Sequence, residues 1–496
     1  MKLASRFSQL TEYIYFAVIL SLFFVLRFPS LFEPNWYSDE GIYQVVAMGI
    51  NHGRLLYKEI WDNKPPLLYV FYAFFHSDEF MIKLLSIIVG LCSIYVFYIL
   101  AKKLWKNEYH NKIFIPLIYG STLLFTILLG LPIIEGNIAN AENFMMLPLL
   151  AGGYFVYCSS QTKNYKSLFI AGLSLSLAFL IKFVAVFDAF AFFLFLLWVS
   201  FIYTQSLGKS LKNSMYYITG FIMPIVFAVG YFIVNGTLHD FINATLTQNI
   251  GYVNYAYTSL IGTGFLYIKA LILIGILFYF FTQRLWIKKS TLFIFLWFSL
   301  SLFTAYFSQR PYTHYLLLLL PSFTLITGLL VSAVLSHKKN VYAYIVAYLF
   351  FLFIVLESFS FYFTYKTLFY YVNYVKFISN TENLSTYQSF FDTNTPKDYA
   401  IAHYINTHAH TSDTLFVWGN DAQIYTLTNR LPIGRYTVAY HMTASSATLK
   451  ESQATFLLVK PRYVVISDTQ NNIPFSMRGY APVIAIANAV IYEYTY

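Results

Sequence analysis

Charge is what this sequence has least of. Only 11% of its 496 residues are Asp, Glu, Lys or Arg, while 58% are hydrophobic. A soluble protein of this size with that balance would lack the polar surface to stay dispersed, which leaves the bilayer as solvent. Cysteine is nearly absent: Cys92 and Cys158 both fall inside apolar runs, which excludes a disulfide framework and a cysteine metal site. No small-residue cleavage site follows Lys2 and Arg6, so the first apolar run is expected to remain as an uncleaved span. No internal repeat marks a transporter built of inverted halves. The net charge of +10 would suggest a polyanion partner on a soluble face. Here the basic residues lie in short clusters between apolar runs, which is a topology signal and not a nucleic-acid footprint.

Long apolar runs are what the chain has in abundance. Aromatic residues make up 21%, mostly Phe and Tyr, as suits membrane helices with interfacial tyrosines. Runs of about 17 to 25 residues, long enough to cross a hydrocarbon core, fall near 13–29, 80–101, 113–131, 143–159, 167–182, 183–203, 214–234, 259–281, 291–307, 315–336 and 341–361. The expected architecture is a polytopic α-helical membrane protein of about eleven spans. Clusters at Lys102, Lys103, Lys106 and Lys112, at Lys163 and Lys166, at Lys209 and Lys212, at Arg284, Lys288 and Lys289, and at Lys338 and Lys339 share one side if the N-terminus is cytoplasmic. The stretch 167–203 has no polar loop, but as one helix it would overshoot the bilayer nearly twofold at about 1.5 Å per residue. It is therefore read as two spans, with Lys182 at their outer turn.

Outside the spans lie a first outer loop within 30–79, outer loops at 132–142 and 235–258, and a polar region after 361. In the first loop, 39–53 has helical spacing with Ser38 as its cap, and 65–75 is an apolar helix along the interface that starts at its prolines. Residues 1–361 form the membrane domain; 362–496 form an interfacial helix and a small extracytoplasmic α/β domain. Within the latter, helices are expected near 396–407, 421–428 and 445–457, and strands at 414–418 and 462–467.

The strongest local signal is SDEGIYQVVAMGINHGRLLYKEIWDNKPPLLY, Ser38 to Tyr69, which packs Asp39, Glu40, Arg54, Lys58, Glu59, Asp62 and Lys64 into a charge-poor chain. A carboxylate at the outer end of the first span can act as general base toward a hydroxyl, and cations nearby can hold a phosphate leaving group. A plain solvated loop carries such charges as well.

The order Asp39-Glu40, Tyr43, Gly49, Gly53, Tyr57, Lys64-Pro65-Pro66-Leu67 resembles the first outer loop of GT-C glycosyltransferases, in the protein O-mannosyltransferase and aminoarabinose transferase branch. That resemblance implies a bacterial inner-membrane enzyme that moves a sugar, with inversion, from a polyprenyl-phosphate carrier to an extracytoplasmic acceptor. It implies Asp39 as catalytic base and Lys64 as a phosphate contact. Glu40 is a candidate in support of Asp39, and Arg54 and Tyr57 are further candidates to bind the donor phosphate. Some aminoarabinose transferases carry an acidic residue just before this Lys, linked to a metal; Asn63 stands there, so no metal is expected.

Further candidates are spread along the chain. Lys182, placed on the same side as the acidic loop, is a candidate for the carrier phosphate or a residue that snorkels to the interface. In the outer loop 308–315, Arg310 and His314 resemble a basic, His-Tyr element that reaches the carrier phosphate in the family, although an aromatic-basic anchor looks the same. Glu142 is a candidate for site support or a helix cap, and Asp62 for site support. In the C-terminal domain His403, His408 and His410 lack ligand spacing and are expected to be exposed; Trp418, Asp421, Arg430 and Arg435 are candidates to face the acceptor. A lipid-linked saccharide transporter or flippase, and a polysaccharide polymerase or ligase, are the other classes that the same architecture serves.

Overall fold

The computed structural model describes residues 2–106, 111–162, 164–204, 207–248, 264–307, 312–338, 341–359, 367–468 and 473–495. The chain starts with α1 (Lys2–Arg27), and two short helices, α2 (Ser38–Asn51) and α3 (Pro66–Phe74), separate it from α4 (Glu79–Trp105) and α5 (Asn111–Gly130). Then follow α6 (Ala141–Thr162), α7 (Tyr165–Ile181), α8 (Ala185–Thr204), α9 (Leu207–Val234) and the short α10 (Leu238–Ile242). The membrane part closes with α11 (Gly264–Gln283), α12 (Lys289–Ala305), α13 (Leu316–Leu335) and α14 (Val341–Phe359).

Among the described residues seven helices are long and apolar enough to cross a membrane, and 165–181, 185–199 and 289–305 are shorter apolar helices. With α6 they fall where the apolar runs put them, and the polytopic helical architecture holds. The division at Lys182 holds too: its backbone is extended, with φ −152 and ψ 123, and it ends α7 just before α8 begins. Helix packing uses missing side chains. A Cβ on Gly172 of α7 would lie 2.1 Å from the Tyr217 carbonyl of α9, and one on Gly220 would lie 2.1 Å from the Phe169 carbonyl. The two backbones thus meet directly, as small residues allow between apolar helices.

One expectation about α2 is corrected. Ser38 is its first helical residue and no side chain caps it, because Tyr37 occupies the cap position. The prolines of 65–75 behave as expected, with Pro66 opening α3.

The C-terminal part contains α15 (Thr367–Ile378), α16 (Leu384–Phe391), α17 (Thr395–His408), β1 (Leu415–Trp418), α18 (Gln423–Leu427), α19 (Ala439–Met442), α20 (Ser446–Val459), β2 (Tyr463–Ile466), β3 (Tyr480–Ile486) and β4 (Ala489–Tyr494). The sheet order is β1-β2-β4-β3, with β1 and β2 parallel and the other pairs antiparallel. The expected small α/β domain is present. Ser445 caps α20 in a reciprocal capping box with Thr448. The β3–β4 hairpin was not anticipated from the sequence.

This domain rests on the first loop. A Cβ on Gly41 of α2 would come 3.0 Å from the backbone N of Gln423, so only glycine lets α18 lie this close. The Asn35 amide N–H donates to Tyr399 Oη at 2.9 Å, and the Trp61 N–H to the Arg435 carbonyl at 2.9 Å.

Candidate active site

Helical spacing organises the first part of the site. Asp39 and Tyr43 lie one turn apart on α2, and the buried Tyr43 hydroxyl donates to Asp39 Oδ2 at 3.1 Å. The loop then returns through 54–64. Tyr57, at a left-handed φ of 68, closes its turn with an N–H to the Ile60 carbonyl at 2.7 Å and donates its hydroxyl to the Lys64 carbonyl at 2.7 Å. Tyr69 holds the same strand of loop from the other side. It accepts from the Lys64 N–H at 3.1 Å and donates to Asp62 Oδ2 at 2.7 Å. The result places the Lys64 ammonium 5.8 Å from the Tyr43 ring centre. Asp39 and Lys64, from opposite ends of one loop, thus flank a single tyrosine.

Glu40, one residue and about 100° further round the helix, goes elsewhere. It is 2% exposed, accepts from the Ala139 N–H at 2.5 Å and lies 3.6 Å from Lys83 of α4. Lys83 also pairs with Glu33 at 3.2 Å and Glu79 at 3.4 Å. Burial raises the Glu40 pKa, against the pull of Lys83. The geometry therefore takes Glu40 out of the Asp39 site and into a buried cluster that fixes α2 to the bundle. Arg54 is likewise turned away: its guanidinium donates to the Gly434 carbonyl at 3.2 Å, tying the loop to the C-terminal domain. The expectation that Arg54 and Tyr57 line the donor phosphate does not fit these contacts.

A second constellation adjoins the first. Lys182 pairs with Glu142, and its ammonium sits 4.8 Å over the Tyr315 ring. His314 reaches Glu142 with Nε2 at 3.8 Å and Glu135 with Nδ1 at 2.9 Å. Glu135 also accepts the Tyr37 hydroxyl at 2.6 Å and the Thr313 hydroxyl at 2.6 Å. Burial works against the Glu135 carboxylate, but His314 and the two hydroxyls outweigh it and hold its pKa at about 2. Glu135 has a left-handed φ of 60, a conformation that costs a non-glycine residue about 1 kcal/mol. Four segments that charge parity put on one side, around 38, 135, 182 and 314, thus meet at one end of the bundle. Arg310 lies outside the described residues.

The C-terminal domain adds a group that the sequence reading missed. His441 of α19 is 4% exposed, packs edge-on against Trp61 at 4.7 Å between ring centres, and brings Nε2 to 3.7 Å from Asp62 Oδ1. Burial, aided by Lys64 and opposed by Asp62 and Asp39, lowers its pKa to about 4, so the imidazole is neutral at pH 7. Asp62 is thus held between Tyr69 and His441. Of the other residues singled out in this domain, His403, His408 and His410 are exposed as expected. Arg430 is buried and donates to the Thr428 and His410 carbonyls at 2.9 and 3.0 Å. Arg435 pairs with Glu451 at 2.7 Å and with Asp240 at 3.6 Å, so neither arginine is presented to an acceptor. Sequence offered only weak signals for the two missed residues: Glu135 was one carboxylate of a short loop, and His441 one of several histidines.

Comparison with known proteins adds four findings. Residues 64–233 match the family described as dolichyl-phosphate-mannose-protein mannosyltransferase, PMT_2, and the match begins at Lys64. Residues 397–479 match the family described as the C-terminal domain of competence-induced protein Ccs4. No curated protein matches the chain by sequence. Among solved structures, ArnT from Cupriavidus metallidurans bound to undecaprenyl phosphate is similar with a TM-score of 0.56 and 13% identity, over 97% of this chain and 97% of that one. The apo form of the same protein gives 0.56 and 14%, over 98% of each chain. At these identities the likeness is one of fold, and it spans both the helical bundle and the C-terminal domain. The GT-C-like fold expected from the first loop is borne out.

Proposed function

We propose that the chain is an integral-membrane glycosyltransferase that moves a sugar from a polyprenyl-phosphate carrier to a hydroxyl-bearing acceptor. The observation that carries this reading is the convergence of Asp39 and Lys64 on Tyr43. Support comes from the mannosyltransferase family match over 64–233 and from a fold shared with a protein that binds undecaprenyl phosphate.

In the reaction the acceptor oxygen attacks the anomeric carbon and gives its proton to Asp39. The new C–O bond forms as the bond from that carbon to the phosphate oxygen breaks, with inversion, and the bonding pair leaves on the phosphate. Lys64 stabilises that developing charge. A base on one face of the sugar and a cation on the other is the separation that an inverting displacement requires. Lys182 and His314, already engaged by Glu142 and Glu135, are the next basic groups available to the departing phosphate. Asp62, clamped by Tyr69 and His441, keeps the approach to Lys64 in place.

This reading puts the site on the extracytoplasmic face of a bacterial inner membrane; the distribution of lysine and arginine supports the cytoplasmic N-terminus, and the resemblance of the first loop supports the bacterial membrane. His52 is exposed on the loop side, so His52→Cys is expected to react with an impermeant maleimide added outside intact cells. Protection there would invert the orientation. The test of function is transfer from radiolabelled polyprenyl-phosphate hexoses and pentoses to lipid, glycan and protein acceptors by the purified chain. Asp39→Asn is expected to lower turnover by about 10² to 10⁴, the usual contribution of a positioned general base. Equal activity of wild type and variant with every donor removes the enzyme reading.

A further inference from the structure

The C-terminal domain holds a cavity of about 450 Å³ at the carboxyl ends of the parallel strands β1 and β2. Loops following parallel strands in an α/β sheet are where such folds bind ligands, and the volume falls within the ordinary range of about 300 to 1,000 Å³ for small-molecule sites. Gly419 keeps the floor open between the strands: a Cβ there would overlap Ser467 Oγ at 1.8 Å.

The lining identifies a ligand class. Tyr440 presents a ring that is 48% exposed, and Trp418 beside it is 5% exposed with an indole Nε1 that has no acceptor among the described residues. Asn420, Asn488, Asp421 and Asp468 add amides and carboxylates to the lining. Among the described residues the one cation in the lining, Lys397, is already engaged: it donates to the Ser467 carbonyl at 2.8 Å and to Asn394 Oδ1 at 3.3 Å. The two carboxylates, Asp421 and Asp468, outnumber the one ammonium and disfavour a phosphate or another anion. The exposed Tyr440 ring, in a lining of carboxylates and amides with the unpartnered Trp418 Nε1, matches the apolar face and the vicinal hydroxyls of a sugar ring.

The position of Tyr440 links this cavity to the first site. It is followed on α19 by His441, whose ring packs on Trp61 beside Asp62, so one four-residue helix borders both places. We propose that the cavity binds an uncharged saccharide and forms the acceptor subsite, holding one sugar unit of a glycan acceptor while another reaches Asp39. The acceptor assignment rests on the transferase reading; saccharide binding does not.

Ligand-observed saturation-transfer NMR on the full chain, in a detergent without a sugar headgroup, tests the binding. Probes are the methyl glycosides of glucose, galactose, mannose and N-acetylglucosamine, their disaccharides, and inorganic phosphate. At least one saccharide is expected to bind saturably, with affinity reduced tenfold or more in both Asp421→Ala and Tyr440→Ala, and phosphate is expected not to compete. Melting temperatures within 2 °C of wild type show that both variants fold, and His403→Ala on an exposed helix position keeps wild-type binding. No saccharide signal, a signal that survives both substitutions, or displacement by phosphate overturns the proposal. Because no donor is present, these outcomes are independent of whether the chain transfers sugar. If binding holds but Tyr440→Ala has the wild-type KM for every glycan acceptor, the acceptor assignment falls and saccharide binding stands.

Discussion

Replacing Lys83 by Met isolates the contribution of the buried cluster that fixes α2. In the wild type the ammonium is 1% exposed and lies 3.2, 3.6 and 3.4 Å from carboxylates of Glu33, Glu40 and Glu79. Glu33 keeps other donors when Lys83 is lost: Asn137 at 2.8 Å and the Tyr370 hydroxyl at 2.6 Å. Glu40 keeps only the Ala139 N–H and has an oxygen, Oε2, with no hydrogen-bond donor among the described residues. Removing one partner of a buried ion pair costs about 3 to 5 kcal/mol, mostly from the charge left behind. Lys83→Met is expected to cost that much and Lys83→Met/Glu40→Gln to recover at least about 1 kcal/mol, since neighbouring substitutions in one network couple by about 0.5 to 3 kcal/mol.

The pH dependence has a definite sign. Glu40 has a folded pKa raised above its unfolded value, so the folded state holds the extra proton and stability falls as pH rises through that interval. Loss of Lys83 raises it further, so the variant loses more stability between pH 5 and pH 8 than the wild type. The assay is thermal unfolding of detergent-solubilised protein at both pH values, followed by loss of the monodisperse peak in size-exclusion chromatography. A single variant as stable as wild type, or a double variant less stable than the single one, refutes the reasoning.

Other predictions address separate features. His441→Gln removes a buried group whose folded pKa, about 4, lies below its unfolded 6.5. That depressed value contributes stability above pH 6.5 that is lost as pH falls toward 4, up to about 3 kcal/mol at 1.36 kcal/mol per unit. Melting curves of wild type between pH 7.5 and 5 should therefore slope more steeply than those of the variant. Gly220→Ala forces a methyl against the Phe169 carbonyl and should reduce recovery of folded protein severalfold, whereas Gly275→Ala, with nothing within 4 Å, should not; fluorescence-detected chromatography reads both. Lys64→Ala is expected to raise the donor KM or lower kcat at least tenfold, and Arg54→Ala, whose contact is with the Gly434 carbonyl, to change donor kinetics less than threefold while lowering the melting temperature.

Much of the membrane part was legible because bilayer thickness imposes a length that any reader of apolar runs can apply. The division at Lys182 followed from that length alone, and the helix at Pro66 from proline's fit to a first turn. What failed to show in sequence was set by tertiary contact. Lys83 looks like one residue near the end of an apolar run, yet three carboxylates from separate segments meet it. His441 reaches Asp62 only because Gly41 and Arg54 dock its domain on the loop. Arg54 and Tyr57 illustrate the reverse error: their position in a charged loop suggested ligand contact, while their donors serve backbone carbonyls. The β3–β4 hairpin was missed because 480–494 is apolar with weak alternation, all of its β3 residues being half-buried or exposed.

Three neighbouring residues of α2 each answer to a different neighbour. Asp39 bonds Tyr43, Glu40 bonds the bundle at Ala139, and Gly41 makes room for Gln423 of the C-terminal domain. The triplet is a junction whose phase is shared: adding one residue before it would turn all three by about 100°. Evolution can alter what surrounds this junction, but it cannot retune the Asp39 carboxylate, the contact with the helical bundle and the seat of the C-terminal domain one at a time.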